Sequence, residues 1–128
     1  MAEAEMVKDE EIKAGFAALR AARQALYDGS EKELAARMAL KRREASLLLS
    51  GAIIGKNAET RDAQLKEGCQ AEIAKLEAAE TEKRLLQCRY DLANITVSEI
   101  QWQIRNDQAI ADLSIRAIVA RRHGGDAP

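Results

Sequence analysis

Between Asn57 and His123 apolar residues recur at helical spacing, with no proline and a single glycine, Gly68, to interrupt them. Leu86, Tyr90, Ala93, Val97, Ile100 and Ile104 alternate steps of four and three, the spacing of a heptad seam. A second seam follows Leu85, Leu92, Ile95, Trp102, Ala109 and Leu113. The pattern predicts one very long helix over 58–121, on the order of 90 Å if unbroken. Asn94 marks an alternative break point, because Ile95-Thr96-Val97 is a β-branched cluster of low helix propensity.

Upstream, Ile12, Phe16, Leu19 and Leu26 form one apolar stripe and predict a helix over 4–27. Its first turns carry Glu3, Glu5, Asp9, Glu10 and Glu11, a sign that suits the positive end of a helix dipole. Asp28-Gly29-Ser30 reads as a stop, with Gly29 taking the left-handed conformation, and Ser30 with Glu33 reads as a capping box that starts a helix over 30–53. That second helix carries Leu34, Met38, Ala45 and Leu48 on one side and Leu40, Leu47 and Ile54 on another, so it is expected to be covered from more than one direction. Gly55 suits its stop and Asn57 the N-cap of the long helix. The connection is short, which makes neighbouring helices antiparallel.

The expected fold is all-α: an elongated helical hairpin or three-helix, coiled-coil-like bundle with one very long C-terminal helix, forming a single domain over 1–123. Residues 124–128, with Gly124-Gly125 and the only proline, read as a flexible tail. Composition agrees with this class, since 47% hydrophobic but 3% aromatic residues build a core from Ala, Leu and Ile. Two helices of some 24 residues cannot cover both seams of the long one, so self-association is the economical way to bury the remainder. A homo-oligomer and a protein partner are the expected associations.

A formal net charge of −1 gives no bulk attraction to nucleic acid or anionic lipid. No apolar run reaches the 18 or so residues of a membrane span, and the acidic N-terminus is unlike a secretion signal, so a cytoplasmic protein is expected. Cys69 and Cys88 lie on one predicted helix, about 28 Å apart along it, too far to bridge, and both read as buried reduced thiols.

Candidate chemistry is sparse. Lys56, Asn57 and Arg61 cluster at a helix start that is able to hold a phosphate, although caps and i,i+4 pairs account for the same residues. Lys41-Arg42-Arg43 and Arg121-Arg122-His123 are basic runs that could touch a nucleic-acid backbone, but with acids such as Glu44 and Asp126 among them and no aromatic residue interleaved the default reading is a solvated helix face. Trp102 is the only tryptophan, placed on the second seam and expected to be buried there. His123 is the sole histidine and sits in the tail, which leaves no Ser–His or Cys–His couple and no Glu-x-x-His pair in the ordered region. Neither an enzyme, nor a cofactor, nor a metal site is expected.

The stretch Ile54-Gly55-Lys56-Asn57-Ala58-Glu59-Thr60-Arg61-Asp62-Ala63-Gln64-Leu65, followed by an Ala/Glu/Arg-rich helix, resembles a loose group of small helical bacteriophage and prophage proteins with no assigned function. The likeness spans about a dozen motif residues and the helical character of 30–120. It implies an accessory protein acting in a bacterial host cytoplasm, in DNA metabolism or against host defence. Two readings stay open beside a non-enzymatic interaction protein: a nucleic-acid-binding accessory factor, and an inhibitor or nucleotide sponge.

Overall fold

The computed structural model of the protein describes residues 8–125. These form three α-helices and no strand: α1 (Asp9–Leu49), α2 (Ala58–Gly68) and α3 (Gln70–Gly125). The all-α class and the long C-terminal helix are as the pattern predicts; the divisions between helices fall elsewhere. The predicted starts at residue 4 and the end of the tail lie outside the described residues.

The first correction concerns Gly29. It lies inside α1, with no left-handed backbone, and the two helices predicted over 4–27 and 30–53 are one. Its lack of a side chain serves packing instead: a Cβ built there would stand 2.5 Å from Leu86 Cδ1 and 4.0 Å from the Cα of Lys83 on α3. Gly29 belongs to a row of small residues recurring every seven positions, Gly15, Ala22, Gly29 and Ala36, all buried or half-buried. Beside it runs a row of larger ones, Ile12, Leu19, Leu26, Leu40 and Leu47, with Glu33 in place of the apolar residue. Large beside small at alternate seam positions lets two helices approach closely. Glu33 is not used as a capping box, because the helix it would start has already begun.

The stop of α1 is Gly51, whose φ of +75° is the left-handed conformation, rather than Gly55. Gly55 serves a close contact instead: a Cβ there would lie 2.9 Å from the Arg61 nitrogen at the start of α2. The long helix predicted over 58–121 is interrupted at Gly68-Cys69, where Leu47 packs against the bare Gly68, and it is unbroken at Asn94. Around Asn94 the hydroxyls of Thr96 and Ser98 donate back to the carbonyls of Leu92 and Asn94, and Val97 is buried. Packing of one β-branched side chain there outweighs the low propensity of its neighbours.

The chain divides into two compact units, Met1–Arg20 with Asp91–Pro128, and Ala21–Tyr90. Within Ala21–Tyr90, α1 and α3 run antiparallel: Gly29 faces Leu86 and, further along α1, Arg37 pairs with Glu80, while Leu47 faces Gly68 at the end of α2. A cross-helix ionic chain joins them, Lys83 Nζ to Glu33 at 3.2 Å, Arg37 to Glu33 at 2.7 Å and to Glu80 at 3.7 Å. Within the other unit, Gly15 of α1 faces Ile100 of α3. The first predicted seam of α3, from Leu86 to Ile104, is the inward one, buried or half-buried throughout.

The second helix predicted to be covered on two sides is covered on one. Leu40 and Leu47 are half-buried, whereas Leu34, Met38 and Leu48 are exposed.

Candidate functional site

At the start of α2 the Thr60 and Arg61 N–H groups are already used within the chain, both by Asn57. Asn57 caps the helix, its Oδ1 accepting from the Thr60 N–H at 2.8 Å, and Arg61 Nε donates back to the Asn57 carbonyl at 3.3 Å. Gln64 Oε1 accepts from both Ile54 N and Gly55 N, at 3.0 and 3.1 Å, and so ties the loop down onto α2. The closely packed Gly55 lies against the first turn of α2, where an anion would sit. Lys56, Asn57 and Arg61 are exposed, and the geometry gathers them as a corner rather than around a cavity.

Lys41, Arg42 and Arg43 stand exposed on α1. Arg43 Nε donates to the carbonyl of Gly68 at 3.4 Å, a cation at the negative end of α2. Arg43 and Arg61 therefore serve opposite ends of α2, about 15 Å of helix apart, and do not form one patch. An open hollow between α2 and the first turns of α3 is lined by Ala63, Lys66, Glu67, Ile73 and Glu77, a mixture of charges with no enclosed volume.

Cys69 is 1% exposed, at the joint between α2 and α3. Burial pushes its thiol above the ordinary range; the carboxylates of Glu44 and Glu72 add to the shift and Arg43 opposes it. A thiol held protonated is an inert packing group. Cys88 is exposed, which corrects the expectation that both cysteines are buried. Among the described residues no group of three or more His, Cys, Asp or Glu is placed to hold a metal ion, and no helix is long and apolar enough to cross a membrane.

The outer face of α3 is different in kind. Trp102 is 63% exposed, and Leu92, Ile95, Ile110 and Leu113 are exposed with it. The second seam is thus left uncovered by the chain's own helices, and the expected burial of Trp102 does not occur within one chain. Every residue from Gln108 to Gly124 is exposed. What sequence reasoning missed is the ionic chain Lys83–Glu33–Arg37–Glu80. The signal for it was present as charged residues standing at seventh positions of two otherwise apolar rows. No family model, curated protein or solved structure matches this chain.

Proposed function

We propose that this chain is a non-catalytic interaction protein that works as an oligomeric helical scaffold, in the manner expected of a phage-type accessory protein in a bacterial host cytoplasm. The observation that carries the reading is the poverty of the core. Among the described residues only Cys69 and Val97 are apolar side chains fully removed from water, while Trp102, Leu113, Ile118 and their neighbours face solvent. Apolar surface on this scale marks a binding face.

The unpaired stretch of α3 strengthens the argument. Ile110, Ile115, Ile118 and Val119 are β-branched and lower its helix propensity, and an isolated helix of that length is marginal in water. A covering partner supplies what propensity does not. Light scattering at micromolar concentration tests the reading: a mass that is a multiple of 14.1 kDa is expected, and a monomer at every concentration contradicts it.

A further inference from the structure

We propose that the outer face of α3 between Leu92 and Ala120 is covered by the same face of a second copy, the two helices antiparallel about a two-fold axis between Asp107 and Gln108. This rests on the oligomeric reading above and gives it a partner, a register and a direction.

The face repeats at steps of three and four through Ile95, Glu99, Trp102, Asn106, Ala109, Leu113 and Arg116, on the side of the helix away from the inward row of Ala93, Val97, Ile100 and Ile104. Two of its positions are charged and of opposite sign, Glu99 and Arg116. A parallel pair sets Glu99 against Glu99 and Arg116 against Arg116, like charges at the centre of the contact, which is unfavourable. An antiparallel pair about the stated axis sets Glu99 opposite Arg116 of the second copy, and Trp102 opposite Leu113 of the second copy. The flanking positions agree, because Arg105 then falls beside Asp112 of the second copy.

Sliding one helix past the other by one heptad, which moves the axis by half a heptad, destroys this match in either direction. Toward the N-terminus Arg105 meets Arg105; toward the C-terminus Asp112 meets Asp112. Glu99, Arg105, Asp112 and Arg116 are all exposed, and no ion pair within the chain engages them among the described residues. The uncovered stretch after Gln108 of each copy lies along 95–107 of the other, so two marginal helix ends support each other. A stable pair needs about 800 Å² from each partner, well within the surface this chain leaves in water.

Sedimentation of the full chain tests the proposal through Glu99→Lys, Arg116→Glu and the variant carrying both, with helical circular dichroism confirming that each folds. The wild type is expected to be a dimer. Each single change is expected to raise its Kd about tenfold or more by opposing like charges. The double variant is expected to return to within about threefold of wild type, since the pair is restored with its sign reversed. Trp102 emission is expected to follow the same order, blue-shifted in wild type and double variant and red-shifted in the singles at equal concentration. A dimer that the single changes leave intact, or that the double change fails to restore, overturns this register and leaves the oligomeric reading standing. A wild type that stays monomeric overturns both.

Discussion

Two consecutive stretches of α3, 91–107 and 108–124, are equally long and both helical, yet they are held by different means. The first presents Ala93, Val97, Ile100 and Ile104 to α1, against which Gly15 makes room for Ile100. The second has Ile110, Leu113, Ile118 and Val119 available and, among the described residues, nothing to set against them. Apolar content is therefore not what separates a covered helix from an uncovered one. The difference lies in whether a facing row of small residues exists, and in the described part of α1 that row begins at Gly15.

The sharpest way to break the comparison is to place the same charge in both halves. Val97→Asp buries a carboxylate at a site that is 4% exposed and is expected to cost ~3 kcal/mol or more. Ile118→Asp, on the inward side of the uncovered stretch, is expected to change stability by less than about 0.5 kcal/mol. Thermal melts of the two variants at one concentration check the contrast, and equal losses would show that 108–124 is as covered as 91–107.

Next in size is the ionic chain of the Ala21–Tyr90 unit. Glu33 has a side chain only 13% exposed between Lys83 and Arg37. Glu33→Ala leaves two cations facing each other across the seam and is expected to cost ~1–2 kcal/mol, discounted for the partial exposure of Lys83 and Arg37. A double-mutant cycle with Lys83→Ala is expected to give a favourable coupling; additivity of the two losses would show that the contact does not hold the helices in register.

Much of this fold was legible in the sequence. The inward seam of α3 could be read from Leu86 to Ile104 because its apolar residues keep heptad spacing without exception. The break at Gly68-Cys69 and the continuity at Gly29 were not, because a glycine carries the same local signal whether it ends a helix or admits a neighbour's side chain. Which role it plays depends on Leu86 and Leu47, residues 57 and 21 positions away. The corner at Lys56, Asn57 and Arg61 was legible as a cap, and Gln64 was not, since its bonds to Ile54 and Gly55 exist only once the loop has closed. The outer seam was legible as apolar; that it stays uncovered follows from the length of α1, which the glycine at 29 disguised.

Smaller effects sharpen the picture locally. Asn57→Ala removes the N-cap of α2 and is expected to cost about 1 kcal/mol, seen as faster amide exchange in α2 while the exchange of α1 around Leu26 is unchanged. Cys69 has its thiol pKa raised on folding, so the folded chain holds that proton more tightly than the unfolded one. Its contribution is full below the ordinary thiol pKa, neutral pH included, and is lost as pH rises from there through the raised folded value, the sign expected for a neutral group buried as such. Iodoacetamide at neutral pH is expected to modify Cys88 promptly and Cys69 only on unfolding; equal rates would place Cys69 at the surface.

The central claim is that this chain completes its core by association, and the dependence of melting temperature on protein concentration tests it most directly. A hundredfold rise in concentration is expected to raise Tm by roughly 5–10 °C, because the folded state is then drawn forward by mass action. A Tm that is the same across that range would show that the isolated chain is stable with its outer face in water, and would contradict the account.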